Sequence, residues 1–359
     1  MKKSALSENK GIIQPKIVSD DAVRKIQIFR KQQPSNQELF DGILSGNITA
    51  LSRGITLVES SNVLHLERAT EIINSCLPHA NKSIRIGITG VPGVGKSTFI
   101  EAFGTYLTAI GKKVAVLAVD PSSTISHGSI LGDKTRMEVL VNNKNAYIRP
   151  TASGETLGGV ARKTRETIVL CEAAGFDIIL IETVGVGQSE TAVHSMVDFF
   201  LLLKISGAGD GLQGIKRGIM EMADAVIINK ADGDNVTKAN LAKTEFGRAL
   251  HLFVAKKSGW IPQVGTCSAI ENTGIESVWK MIADYEELTK NNGFFQENRQ
   301  LQNRFWMMET INDRLKSHFF DDKMIQKMLD ENDKLIAQNL KSPFEAANEM
   351  LDFYFGKGI

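Results

Sequence analysis

Cysteine is scarce in this chain: three in 359 residues, Cys76, Cys171 and Cys267, isolated from one another, odd in number and without Cys-x-x-Cys spacing. They cannot form a disulfide framework or a structural zinc site, and they read instead as reduced, mostly buried thiols. An excess of charge of either sign is also missing, since 42 basic residues against 41 acidic ones leave a net charge of +1. That balance argues against a nucleic-acid binder that relies on overall basicity and leaves room only for a local basic patch. No apolar run approaches membrane-spanning length, and no signal-peptide core follows the basic Met1-Lys2-Lys3. The expectation is a cytoplasmic protein with neither membrane nor nucleic acid as partner. What the chain does have is 42% hydrophobic content, over a length that suits one large domain with appendages, or two domains.

Patterning divides the chain into four stretches. Residues 1–34 are polar and weakly periodic and read as a flexible tail. Residues 35–81 read as a helical extension. There Ser35-Asn36-Gln37-Glu38 forms a capping box ahead of Leu39, Phe40, Ile43 and Leu44, and a second helical run spans Val63 to Leu77. In residues 82–288, short apolar runs alternate with helical stretches. Ile84 to Thr89, Val114 to Val119, Phe176 to Glu182, Phe199 to Ile205, Ala225 to Asn229 and Gln263 to Ser268 read as buried strands. The alternation predicts an α/β fold with a mostly parallel sheet and helices on both faces. Residues 289–359 are helical again. Leu301, Phe305, Met308, Ile311, Leu315 and Phe319 recur at steps of three and four, and Ser342-Pro343-Phe344-Glu345 starts a further helix. The apolar stripe fits either packing on the middle domain or a subunit interface.

Chemistry enters with Gly90-Val91-Pro92-Gly93-Val94-Gly95-Lys96-Ser97. This matches the phosphate-binding pattern G-x-x-x-x-G-K-[ST], placed after an apolar strand and before the helical run Thr98 to Ile110. Glycine lets the backbone curl so that successive N–H groups face phosphate oxygens, and the following helix adds its positive end. Lys96 can reach the β- and γ-phosphates, and the Ser97 hydroxyl can ligate Mg2+. The residues expected at the phosphates are thus 90–97 together with Thr98.

Further along, Asn229-Lys230-Ala231-Asp232 ends a strand. An Asp carboxylate there can accept from N1–H and the exocyclic amine of guanine, whereas adenine offers no donor and would strand a buried charge. Ser268 and Ala269 lie beyond another helix, where the Ala269 N–H could meet the guanine carbonyl. The expected nucleotides are GTP and GDP. A magnesium nucleotide also needs acidic oxygens, and Asp120, Asp133 and Glu182 stand at or after strand ends as candidate metal groups beside Ser97. Glu182 is also a candidate catalytic group with Lys96.

Further motifs carry a resemblance. They are Val119-Asp120-Pro121-Ser122-Ser123, Gly132-Asp133-Lys134-Thr135-Arg136-Met137, Thr156-Leu157-Gly158-Gly159-Val160-Ala161, Glu182-Thr183-Val184-Gly185-Val186-Gly187-Gln188-Ser189-Glu190 and Asp210-Gly211-Leu212-Gln213-Gly214-Ile215-Lys216. Together they resemble the MeaB/ArgK family, which includes the human methylmalonic aciduria type A protein. The resemblance implies a P-loop NTPase fold with helical extensions at both ends. It also implies a homodimeric GTPase that escorts an adenosylcobalamin-dependent acyl-CoA mutase, typically methylmalonyl-CoA mutase, gating cofactor loading and protecting the enzyme. By the same resemblance Lys96, Ser97, Asp120, Asp133 and Glu182 match phosphate and magnesium positions, and Asn229, Lys230 and Asp232 match the guanine reader. Gln213 and Lys216 fall in a switch segment, and the C-terminal arm falls in the dimer contact.

No glutamine follows Gly185 directly; Gln188 comes three residues later and is either catalytic or structural. Slow basal hydrolysis, accelerated by a partner that completes the site, is the expectation. Arg162, Lys163 and Arg165 read as a solvated helix face, and His127 and His194 lack metal-ligand spacing. Two alternatives remain at this point: an ATPase or kinase coupled to lysine/arginine/ornithine transport, which Asn229-Lys230-Ala231-Asp232 weighs against, and a GTP-dependent metallochaperone, which the scattered cysteines weigh against.

Overall fold

The computed structural model describes residues 34–60, 62–119, 137–150, 157–183, 189–207 and 217–356. Among these residues a single seven-stranded sheet organises the chain. Its strands are β1 (Ile84–Gly90), β2 (Val114–Val119), β3 (Ala146–Pro150), β4 (Ile178–Thr183), β5 (Phe199–Ile205), β6 (Ala225–Asn229) and β7 (Gln263–Thr266), in the order β3-β2-β4-β1-β5-β6-β7. Every strand pair is parallel.

The central strands are apolar throughout because both faces are covered, and alternate side chains go to opposite layers. On one face Ile86, Ile88, Val116, Leu180, Phe199 and Leu201 pack with Phe99 and Phe103 of α4 (Lys96–Ala109) and with Val278 and Ile282 of α10 (Ile275–Asn291). On the other, Ala115, Leu117, Ile179, Ile181 and Phe200 meet the amino-terminal helices α1 (Asn36–Leu44), α2 (Ile48–Glu59) and α3 (Val63–Cys76), together with α6 (Leu157–Ala173). A third cluster joins Val226 and Ile228 to α9 (Val236–Leu250). The short helices α5 (Glu138–Val141), α7 (Ser189–His194) and α8 (Arg217–Met222) complete the connections, and α11 (Phe294–Phe320), α12 (Lys323–Ala337) and α13 (Pro343–Gly356) form the carboxy-terminal arm.

Local chemistry sets the helix ends. The capping box at Ser35 is present in full, with Glu38 N–H on the Ser35 hydroxyl and the Glu38 carboxylate on the Ser35 N–H. Asn47 caps α2 by accepting from Thr49 and Ala50, and the Ser342 hydroxyl accepts from Glu345 N–H at the start of α13. The boundary expected at 288 falls inside α10, which continues to Asn291 before Gly293, at φ 83, turns the chain into α11. The tail expected over 1–34 lies, apart from Pro34, outside the described residues.

One sequence expectation changes in part. Lys163 and Arg165 are taken up by α2 and α11 rather than left as a solvated face, whereas Arg162 stays half-buried and pairs with Glu166 of its own helix at 3.6 Å. Lys163 Nζ donates to the Glu59 carbonyl at 2.7 Å, and the Arg165 guanidinium stands 5.9 Å from the Trp306 ring and bonds Asn303. The buried face of α11 is Phe295, Arg299, Gln302 and Trp306. The stripe Leu301, Phe305, Met308, Ile311 and Leu315 is left between 44% and 60% exposed, while Phe319 packs within the chain, 5.0 Å from the Tyr354 ring of α13.

The buried face of α11 carries polar residues because it docks on an ionic cluster at the amino ends of the strands. Arg299 donates to both oxygens of Asp198, at 2.8 and 2.7 Å, and to the Ser83 carbonyl at 2.6 Å. Arg85 forms a two-bond fork with Glu172, both contacts at 2.9 Å, and Ser83 donates to the same carboxylate at 2.6 Å. Asp198 also accepts the Arg85 backbone N–H. With every member bonded, burial of these charges is tolerable.

Candidate nucleotide site

Because all strands run one way, Gly90, Val119, Thr183, Ile205, Asn229 and Thr266 finish along one edge, the side on which ligands collect in open parallel sheets. The loop from β1 to α4 occupies the middle of that edge. Gly90 lies so near β5 that a Cβ would meet the Leu203 carbonyl at 2.7 Å, and Gly93 and Gly95 hold φ of 81 and 90, values that glycine alone adopts without strain. Gly95 is the N-cap of α4 and offers no side-chain acceptor. The first-turn amides therefore face outward with the positive helix end behind them, a ready anion site.

Lys96, the first residue of α4, is only 9% exposed, and its Nζ donates to the Gly90 carbonyl at 3.0 Å. Burial pushes its ammonium below the usual lysine range, against the opposing pull of Glu182 and Glu190. A cation already stripped of water interacts more strongly with phosphate than a hydrated one. Val91, Pro92, Gly93 and Thr98 form the exposed rim, and Val94 is buried beneath.

Ser97 Oγ donates to Glu182 Oε1 at 3.4 Å, which brings two of the four expected metal groups together. Both are hard oxygen donors, the kind Mg2+ takes when substrate phosphates supply further ligands. They fit the ion: Ser97 and Glu182 would hold it, and when bound it would neutralise charge on the β- and γ-phosphates. Asp120 and Asp133 lie outside the described residues, as do Gln188, Gln213 and Lys216.

The base-reading segment is tied directly to this loop. Asn229 Nδ2 donates to the Val94 carbonyl at 3.0 Å, and its Oδ1 accepts from Ala269 N–H at 3.3 Å and Cys267 Sγ at 3.4 Å. Lys230, held at φ 57, sends Nζ to the Gly93 carbonyl at 2.9 Å. Asp232 Oδ2 accepts from Ser268 Oγ at 2.5 Å, and Ser268 Oγ accepts in turn from Glu271 N–H at 3.1 Å. The structure thus brings Asn229, Lys230, Asp232, Ser268 and Ala269 to one place. It gives Asn229 a scaffolding task, since both ends of its amide are used on protein, and leaves Asp232 Oδ1 with no hydrogen bond among the described residues.

Several contributors have no role assigned from the sequence, although Thr183 and Glu190 fall within the motif 182–190. Thr183 Oγ1 donates to Thr89 Oγ1 at 2.9 Å, locking β4 to β1 beneath the loop. Asn235 bridges the Ser206 hydroxyl, at 2.7 Å, and the Lys230 carbonyl, at 2.6 Å. Glu190, 4% exposed, adds its charge near Lys96. Burial raises the Cys267 thiol to about 12, so it packs as a neutral group behind Asn229.

Comparison with known proteins fits this geometry. The family model described as methylmalonyl Co-A mutase-associated GTPase MeaB matches residues 51–324. The chain belongs to the MeaB family of GTPases. The MeaB match takes in every strand, the phosphate loop and the segment from Asn229 to Ala269. Among relatives, the probable GTPase Rv1496 of Mycobacterium tuberculosis (strain ATCC 25618 / H37Rv) is 46% identical over 314 residues, 88% of this chain and 94% of its own. GTPase ArgK of Escherichia coli (strain K12) is 43% identical, covering 86% and 93%. The mitochondrial methylmalonic aciduria type A homolog of Mus musculus is 43% identical, covering 89% and 80%. A solved structure titled LAO/AO transport system kinase superposes with a TM-score of 0.72 at 37% identity, over 89% of this chain and 97% of that one.

Proposed function

We propose that this MeaB-family GTPase binds GTP and GDP with Mg2+, and acts as a chaperone for an adenosylcobalamin-dependent acyl-CoA mutase, with methylmalonyl-CoA mutase as client. In this role GTP binding and hydrolysis gate cofactor loading and protect the mutase. The observation that carries the nucleotide half is the clamp of Asn229 and Lys230 on the Val94 and Gly93 carbonyls, which fixes the Asp232 carboxylate relative to the phosphate loop. The mutase half rests on the family description and on the relatives named for methylmalonic aciduria.

In this reading Asp232 accepts from guanine N1–H and its exocyclic amine, Ser268 holds the carboxylate in place, and Ala269 lies against the base. Lys96 and the amino end of α4 stabilise charge on the transferring phosphoryl while water attacks in line. Glu182 works from beside Ser97, and Gln188 orients the water once a partner completes the site, so basal turnover is slow. Asp120 and Asp133 add to the magnesium shell, and Gln213 and Lys216 relay nucleotide state to the mutase. The exposed stripe of α11 supports a homodimer built on the carboxy-terminal arm, working in the cytoplasm.

A second reading is favoured by the solved structure titled as a transport system kinase. There the chain would be an ATPase or kinase coupled to lysine/arginine/ornithine transport. Turnover of GTP and of ATP, measured alone and with methylmalonyl-CoA mutase, separates the two. The proposal predicts a slow GTP-only rate that rises with mutase. ATP preference would favour the transport reading, and a fast rate indifferent to mutase would overturn the chaperone role.

A further inference from the structure

At the end of the sheet opposite the phosphate loop, where β1 begins, α3, α6 and α11 border a cavity of about 880 Å3, a size typical of small-molecule sites. Helical spacing builds its walls: Arg162, Arg165, Glu166 and Val169 stand at steps of three and four on α6, and Trp306, Thr310 and Arg314 follow at steps of four on α11. Cations outnumber anions there. Arg85, Arg162, Arg165 and Arg314 line the cavity against the single carboxylate of Glu166. Arg85 is taken up by Glu172 at 2.9 Å, and Arg162 by Glu166 at 3.6 Å. Arg165 and Arg314 make no salt bridge among the described residues.

Arg165 is the more unusual of the two. Its Nη2 bonds Asn303, but Nη1 is shielded from solvent and has no hydrogen-bond partner. A buried charged donor left this way lacks the counter-charge that burial demands. Burial lowers this guanidinium to about 10, with the charges of Arg85 and Arg299 adding to the shift and those of Glu172 and Asp198 opposing it. The rest of the wall is mixed: Ile73, Leu77, Val169 and the Trp306 ring give an apolar part beside the arginines, and Asn74, Asn81, Asn303 and Thr310 give a neutral polar part.

We propose that this cavity binds a small amphipathic oxyanion, with a carboxylate or phosphate head held between Arg165 and Arg314 and an apolar body lying on Ile73, Leu77 and Trp306. Such a ligand would join the amino-terminal helices to the carboxy-terminal arm, and the inference does not depend on how the nucleotide site is read.

The test is calorimetric titration of the whole chain, held in GDP and Mg2+, with octanoate, octyl phosphate, octan-1-ol and inorganic phosphate. Saturable binding of octanoate or octyl phosphate is expected, at least tenfold tighter than octan-1-ol or inorganic phosphate, and the tighter of the two identifies the head group. Arg165→Met, which replaces an unpaired charge by an apolar chain of similar length and so should fold, weakens that binding at least tenfold. Arg314→Met, at a more open position, does the same. Octan-1-ol binding as tightly as octanoate, unchanged affinity in both variants, or no binding of either anion would overturn the proposal. So would failure of both anions combined with a shift of the monomer–dimer balance in Arg165→Met, which would assign the charge to a second copy of the chain.

Discussion

Lys96 and Asp232 sit at the two ends of the nucleotide site and make different predictions. Truncating Lys96 to Ala removes a desolvated cation from the phosphates, so affinity for GTP should fall about 100-fold or more, read by titration with a fluorescent GTP analogue. Unchanged affinity would remove every nucleotide reading of the loop. Asp232→Asn keeps the shape but loses the charge and one acceptor. GTP affinity should drop on the order of 100-fold while binding of inorganic triphosphate stays near wild type. At this scale much of the site was legible, because glycine spacing and Asn-Lys-x-Asp encode local backbone geometry. The bond from Asn229 to Val94 was not, since it spans 135 positions and nothing in either segment announces the other. Thr89 and Thr183 were hidden for the same reason: each is an ordinary strand residue until the sheet order puts them side by side.

Elements that bury both faces declared themselves. β2, β5 and β6 begin and end where their apolar runs do, and β4 starts two residues later than its run because the Asp177 N–H turns to the Lys113 carbonyl. β3 escaped notice as an edge strand that pairs only with β2, carries the charged Arg149 and ends at Pro150. Capping governs the amino-terminal layer, so Asn47→Ala should cost about 1 kcal/mol, measurable as a lowered urea midpoint. The docking of α11 depends on charge. Burial alone would raise the Glu172 carboxyl, but the charge of Arg85, its bonds from Arg85 and Ser83, and Arg299 outweigh burial and hold it below the usual range. A group depressed in the fold stabilises fully above its unfolded value of about 4.3 and loses that contribution as pH falls through its folded one. Glu172→Gln should therefore cost about 3 kcal/mol at pH 7, and the gap to wild type should narrow below about pH 4 in urea melts. A gap that stays constant with pH would show that the carboxylate charge is not what anchors α11.

Across the whole molecule, the stripe from Leu301 to Leu315 is the largest apolar commitment that the single chain leaves uncovered on α11. Phe305→Glu combined with Leu315→Glu should convert the proposed homodimer to a monomer in sedimentation velocity while leaving GDP affinity within about threefold. A dimer that persists would move the interface elsewhere. The stripe was visible in sequence as periodicity, but its orientation was not, because the face that packs inward carries Arg299 and Gln302 and looks polar on a helical wheel. The clamp at the other end of the sheet bears on timing. With Asn229 and Lys230 fastened to the carbonyls of the phosphate loop, the proposed base reader and that loop are joined as one mould. Stepwise release, base first and phosphates afterwards, would have to break that mould, so the dwell time of GDP becomes a property of the loop and the reader together. Any partner that hastens exchange must then act by pulling the loop away from Asn229, and its effect should vanish when the Asn229 amide is replaced.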